Sequence, residues 1–392
     1  MEAGKGSTDL EKEVLNEGLC TSCGACVNIC PYIKVIKDRV AVIEPCGITD
    51  GKCYDFCPRT MTDIAELDRK VFGQERSDSS LGSYISIEMA QAKDIETRSR
   101  AQYGGVVSAL TAYAISKGEV GATVLTKPLN GSIMPRAVVV EESSQVLGCA
   151  GSNYIASATM AVLNEAMKPR LEQMLQPTRE NAATLAGLNK AVRHQTGSLG
   201  IVGMPCQILA LRKMQASKHE NGANAVKLAI GLFCTWALSY KGFYNFLRGK
   251  LDPAQIKRLD IPPPPANKLV VDTGSDKIEF PLDDIRGFIK PACGICFDMT
   301  SEFADLSVGM VEDVEDWNTL IVRTPAAKRL VDKAKEDGII ETKPLPEENL
   351  SHLREASLLK KKRALDEIVK RTGDENNLLY LRLPDTVLRN IR

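Results

Sequence analysis

An excess of charge of either sign is what this 392-residue chain lacks: 50 Lys and Arg stand against 50 Asp and Glu. A polynucleotide partner leaves a basic footprint and aromatic stacking platforms, whereas here the charges cancel and only nine Phe and nine Tyr remain. A nucleic-acid function is therefore set aside. Long apolar runs are missing too. No stretch approaches the ~18 uninterrupted apolar residues of a membrane span, and Met1-Glu2-Ala3-Gly4-Lys5-Gly6 has neither the basic nor the apolar region of a secretory leader. No transmembrane segment and a cytoplasmic location are expected, with two or three domains large enough to stand without crosslinks.

Cysteine, by contrast, is plentiful, with 12 residues. A large chain in a reducing compartment has little use for disulfides, so thiolate ligation of metal is the leading explanation. Cys20, Cys23, Cys26 and Cys30, followed by Pro31, match the ferredoxin run C-x2-C-x2-C-x3-C-P at every ligand. Gly24 is expected to let the backbone pass close to the cluster sulfurs. A zinc ribbon also pairs cysteines but rarely needs three at two-residue gaps before Cys-Pro.

A second run, Cys46, Cys53 and Cys57-Pro58, keeps the terminal C-x3-C-P but is one Cys short. In two-cluster ferredoxins the fourth Cys of each run serves the other run's cluster. That crossing gives Cys20, Cys23, Cys26 and Cys57 to one [4Fe-4S] cluster and leaves Cys30, Cys46 and Cys53 for a second. Three thiolates hold a [3Fe-4S] cluster, or a [4Fe-4S] cluster completed by a carboxylate, water or a partner's ligand. Asp50 stands where the middle Cys would fall, and it also reads as an ordinary turn residue before Gly51. Residues 35–43 read as a small hairpin.

Beyond the loop at Ser77-Asp78-Ser79-Ser80, the chain alternates strand and helix signals. Gly104-Gly105 opens a small-residue helix that stops at Gly118, either an anion site or a close-packing feature. Strands are expected at residues 121–126 and 136–140 about a turn at Asn130-Gly131, and a charged surface helix over 168–196. Two buried strands end near Cys206 and Cys234, and Lys290-Pro291-Ala292-Cys293-Gly294-Ile295-Cys296 adds a C-x2-C turn. Cys206 falls at a helix start, where the dipole would lower its pKa. Cys206, Cys234, Cys293 and Cys296 make a four-thiolate set for a cluster, with zinc or thiol exchange as alternatives. Cys149 reads as a small buried residue. His194, His219 and His352 are expected on the solvated surface, as is the basic face of Leu358-Leu359-Lys360-Lys361-Lys362-Arg363, unless that face docks a subunit. Pro262-Pro263-Pro264-Pro265 reads as a stiff connector.

Gly104-Gly105-Val106-Val107-Ser108, Ala150-Gly151-Ser152-Asn153-Tyr154, Gly203-Met204-Pro205-Cys206-Gln207, Phe233-Cys234 and Cys293-Gly294-Ile295-Cys296 together resemble the ordered signature of the coenzyme F420 hydrogenase/dehydrogenase beta-subunit family. The likeness spans roughly residues 80–345. It implies an α+β chain: an N-terminal two-cluster ferredoxin-like module followed by an α/β flavin-binding domain. The expected segments are a tail (1–15), the iron-sulfur module (16–66), a linker with the first elements of the large domain (67–102), the FAD and [4Fe-4S] domain (103–345) and a helical C-terminal segment (346–392).

The resemblance assigns a [4Fe-4S] cluster to Cys206, Cys234, Cys293 and Cys296. It assigns FAD contacts to Gly104, Gly105, Ser108, Gly151, Ser152, Asn153 and Tyr154. Asn153 stands where the family loop usually carries Lys. The implied function is an oxidoreductase subunit passing electrons between a hydride carrier, coenzyme F420 foremost, and partner subunits or ferredoxin. The alternatives are a ferredoxin-dependent FAD reductase of an organic substrate and a non-enzymatic electron-transfer subunit.

Overall fold

The structure is a computed structural model that describes residues 4–129, 131–168, 197–262 and 266–392. The helix expected over 168–196, His194, Asn130 and the prolines 263–265 fall outside the described residues, save Lys168. Near the N-terminus, strands β1 (Ile33–Ile36) and β2 (Arg39–Val42) pair antiparallel as the expected hairpin. Lys37 takes positive φ at its turn. A two-residue strand, β3 (Thr62–Asp63), closes the iron-sulfur module and caps the Ile64–Phe72 helix, where the Asp63 carboxylate accepts the Glu66 N–H.

The large domain is built on one eight-stranded sheet. Its strands are β4 (Ser86–Ala92), β5 (Ala122–Leu129), β6 (Ser132–Val140), β7 (Leu199–Gly203), β8 (Val226–Leu232), β12 (Leu306–Met310), β13 (Asn318–Val322) and β14 (Ile340–Pro344), in spatial order β14-β4-β13-β12-β8-β7-β5-β6. The middle four, β12, β8, β7 and β5, run parallel, and the flanking pairs are antiparallel. Strand β7 is buried at every residue because helices cover both faces of the parallel centre, so its sequence is apolar without alternation. A second sheet, β9 (Arg258–Asp260), β10 (Lys268–Asp272) and β11 (Lys277–Pro281), packs over the Tyr240–Arg248 helix.

The iron-sulfur module and the large domain share one apolar core. Leu10, Ile33 and Phe56 belong to the same buried cluster as Leu163, Ile208 and Ile368. The Thr159–Ala166 helix fastens the first cysteine loop: Asn164 Nδ2 donates to the carbonyls of Ala25 (3.0 Å) and Val27 (2.7 Å), and the Met160 N–H to that of Cys23 (3.0 Å). This also gives Gly24 a reason other than the one expected. A Cβ there would stand 2.8 Å from the Ala161 nitrogen and 2.9 Å from the Ala158 carbonyl, so the close approach is to a helix backbone. At the other end of the chain, β15 (Leu381–Arg382) pairs parallel with β3. No helix among the described residues is long and apolar enough to cross a membrane.

Candidate electron-transfer centre

The first cysteine loop and Cys57 surround a small cavity walled by Leu10, Val14 and Val40, with Cys20, Cys23, Cys26 and Cys57 in its lining. Burial pushes the Cys23 thiol up to about 12 and Cys57 to about 11, and neighbouring thiols of the same set add to the shift. Buried thiols this weakly acidic become thiolates at neutral pH only when a metal displaces their protons. An apolar cavity studded with four such thiols fits a cluster, and the set is the one that crossed ligation requires.

The remaining three also converge. Burial first, then Cys30 and Cys46, raise Cys53 to about 11. Cys46 is half-buried and its pKa falls, because the Ser7 hydroxyl lies 3.2 Å from its Sγ, while the Cys46 N–H donates to Ser7 Oγ at 3.1 Å. Asp50 is committed elsewhere: its carboxylate pairs with Lys218 at 2.7 Å and approaches His219 at 3.4 Å. His219 is not the solvated residue expected. Its ring meets Phe56 edge-on, and its Nε2 is buried and, though near Asp50, too poorly aligned for a hydrogen bond. His352 is exposed, beside Glu312.

The third set gathers where parallel strands end, the usual place for a ligand in an open α/β sheet. Cys206 follows β7, Cys234 follows β8, and the Cys234 N–H donates to Met299 (2.9 Å), joining that strand end to the Cys293-x2-Cys296 turn. The Ala237 N–H points at Cys293 Sγ (3.3 Å). Cys206 does not have the lowered pKa expected of a helix start: burial, with Cys23 adding to it, pushes the thiol up to about 12. Burial likewise raises Cys234 and Cys293. Cys296 alone is lowered, because Lys360 and Arg59 together overcome its burial.

Neighbouring sets adjoin one another. Cys206 feels Cys23, which joins the third set to the first, and Cys26 feels Cys53, which joins the first to the second. Among the described residues no three His, Cys, Asp or Glu are drawn tightly enough to close on one metal ion. Tetrahedral zinc, with Zn–S bonds of about 2.3 Å, needs sulfurs about 4 Å apart, whereas a cubane holds its thiolates at its outer corners.

The basic run divides: Lys362 and Arg363 are exposed as expected, but Lys360 and Lys361 are buried. In the Glu347–Thr372 helix, Lys360 and Lys361 are 4% and 2% exposed. Lys361 pairs with Glu302, which Arg76 shares with Asp68, so two cations and two carboxylates neutralise one another. Sequence reading missed these residues and Arg59, although Ser357, Lys361, Ala364, Leu365 and Ile368 recur at the three- and four-residue spacing of a buried helix face.

The segments to which the resemblance assigns flavin contacts come together as well. Gln102 Oε1 accepts the Ser152 N–H (2.7 Å), so the loop at Gly151-Ser152-Asn153-Tyr154 lies beside Gly104-Gly105. The Tyr154 hydroxyl accepts the Ile261 N–H (2.9 Å), and its carbonyl takes the Leu238 N–H (2.7 Å), close after Cys234. Gln207, next to Cys206, donates to Ser157 (2.8 Å) further along the same loop. Asn153 folds its amide toward Gly151, a Cβ at Gly151 would meet open space, and Ser108 is buried. Part of the helix start is occupied by protein: Asn318 Oδ1 accepts the Val106 N–H (3.2 Å), and a Cβ on Gly104 would collide with Asn318. Cys149 is half-buried against the core.

Comparison with known proteins matches residues 88–164 and 196–348 to the N-terminal and C-terminal models of the coenzyme F420 hydrogenase/dehydrogenase beta subunit, and residues 13–32 to a 4Fe-4S binding domain. The coenzyme F420 hydrogenase subunit beta of Methanothermobacter thermautotrophicus is 30% identical over 297 residues, covering 74% of this chain and 96% of that protein. The coenzyme F420-dependent sulfite reductase of Methanocaldococcus jannaschii is 28% identical over 93% of this chain, which spans 52% of that longer protein. A chain in the F420-reducing [NiFe] hydrogenase complex of Methanosarcina barkeri superposes with a TM-score of 0.63 at 25% identity, covering 79% of this chain and 99% of that one. With its mixed α/β fold and 4Fe-4S motif, the chain belongs to the coenzyme F420 hydrogenase/dehydrogenase beta-subunit family and is an oxidoreductase electron-transfer subunit of that type.

Proposed function

We propose that this protein exchanges electrons between a hydride carrier, coenzyme F420 foremost, and a partner subunit or ferredoxin, in the cytoplasm, with FAD and three iron-sulfur clusters as resident groups. The observation that carries the reading is that the cysteine sets adjoin one another, with the loop at residues 151–154 tied to the Cys206/Cys234 set. When bound, FAD exchanges electrons in pairs with a hydride carrier and iron-sulfur clusters pass them singly. The protein's own part is to position and to exclude water. Gly104, Gly105, Ser108 and Gly151-Ser152-Asn153-Tyr154 cradle the flavin, and the buried sets Cys206/Cys234/Cys293/Cys296 and Cys20/Cys23/Cys26/Cys57 hold the inner clusters. Cys30, Cys46 and Cys53 hold the outermost, toward the partner.

Anaerobic purification with flavin identification and iron counting tests this. FAD with about twelve irons per chain is expected, or about eleven if the outer cluster is [3Fe-4S]. Iron near four with no flavin overturns the reading. Steady-state assay with reduced F420, NADH and reduced ferredoxin then identifies the carrier; activity with ferredoxin alone favours the organic-substrate reductase.

A further inference from the structure

Two buried cations face the third cysteine set without an ion pair; the Asp298 carboxylate, whose charge Lys360 feels, accepts the Glu302 N–H instead (3.0 Å). Lys360 Nζ donates to the backbone carbonyls of Cys234 (2.6 Å) and Asp298 (2.8 Å). Arg59 is 4% exposed; its guanidinium reaches the carbonyls of Pro58 (3.4 Å) and Ala292 (3.2 Å) and lies 4.4 Å over the Tyr380 ring, and its Nε has no hydrogen-bond partner. Neither forms an ion pair among the described residues. Their neighbours differ: Arg76 and Lys361 are paired, and Arg323 spends its guanidinium on Ser307, Leu81, Ser83 and Thr300. A buried charge left to carbonyl dipoles alone is costly unless a counter-charge belongs beside it. Arg59 lines the same cavity as Cys206 and Cys296, and Lys360 holds the carbonyl of Cys234 itself.

We propose that Lys360 and Arg59 are the fixed counter-charges of the iron-sulfur group held by Cys206, Cys234, Cys293 and Cys296, positioning residues that raise its reduction potential. This rests on the functional reading above. An oxidised [4Fe-4S] core with four thiolates is a dianion, and one-electron reduction adds a further negative charge. Two cations in the same low-dielectric pocket favour that reduced form. Lys360 lies beyond residues 196–348, so the family match does not reach it.

The test is an anaerobic titration of the purified holoprotein with dithionite as the one-electron reductant, followed by electron paramagnetic resonance. Expected for Lys360→Met is unchanged iron, sulfide and flavin content, with one cluster's midpoint shifted to more negative potential. Lys360→Arg holds the wild-type midpoint. Arg59→Gln shifts the same cluster in the same direction, and Arg59→Lys restores it. Loss of that one cluster in the charge-removing variants, with retention in the charge-keeping ones, also supports the assignment. Full iron content with unmoved midpoints in Lys360→Met or Arg59→Gln overturns it. Wild-type protein without a third cluster would instead sink the functional reading.

Discussion

Lys290 Nζ stands 3.2 Å from the Asp38 carboxylate, and both residues are buried. The pair joins the β1–β2 hairpin of the iron-sulfur module to the turn that carries Cys293. Asp38 Oδ2 also accepts the Tyr240 N–H (3.0 Å), and its backbone carbonyl takes Lys290 Nζ (3.0 Å). Asp38→Asn leaves the lysine charge buried and uncompensated, a loss of about 3–5 kcal/mol. The expected outcome is a lower denaturant midpoint under anaerobic conditions, and Asp38→Asn combined with Lys290→Met recovers part of it.

The proposed crossed ligation separates Cys53 from Cys57, only four residues apart. Cys57→Ala is expected to abolish the signal of the enclosed cluster, whereas Cys53→Ala abolishes that of the outer one. Spectra of the two variants that lose the same cluster would contradict the partition.

Asp50 carries a carboxylate already bound to Lys218. Asp50→Ala therefore leaves iron content at the wild-type level, while Cys46→Ala lowers it by about three or four irons per chain. Iron analysis of both proteins decides the matter.

Asp78 gives a pH dependence with a definite sign. Despite burial, its carboxyl is held below the usual range by hydrogen bonds from the Ser80 hydroxyl (2.5 Å) and the Leu81 and Ser80 amides, and by Arg354. A depressed folded-state pKa means the stabilisation is fully present above the unfolded value near 4 and is lost as pH falls through the folded value. Amide exchange in residues 78–82, corrected for its intrinsic pH dependence, is expected to accelerate on acidification. Asp78→Asn exchanges faster at neutral pH, by about 2 kcal/mol of lost protection, and shows little further change.

Asn153 tests the flavin loop. Asn153→Lys restores the cation that the family loop usually carries, at a half-buried position. One added ion pair of about 1 kcal/mol lowers the KM for F420 about fivefold with iron content unchanged. An unaltered KM would place the carrier away from this loop.

Part of the centre was legible in the sequence because thiolate spacing is local: the runs point to Cys20, Cys23, Cys26 and Cys57 as one group, which line one cavity, and β7 and β8 read as continuous apolar segments. The counter-charges were not. Lys360 and Lys361 sit in a run of Lys and Arg that looks solvated, and only the apolar residues spaced around them mark the face as buried. Asp50 could be read either as a stand-in ligand or as a turn residue, and its contact with Lys218, far off in the chain, is not visible in the run itself. The pairing of β15 with β3 joins two-residue strands far apart in the chain, where no periodicity can accumulate.

That last pairing bears on how the protein is made. The pocket around Cys206 draws on Arg59 early in the chain and on Lys361 and Tyr380 late in it. Without the Glu347–Thr372 helix and the segment around β15, that pocket lacks the wall that Lys361, Tyr380 and Leu381 supply. A cluster assembled at that pocket would be sealed in by segments that follow all four of its cysteines in the chain.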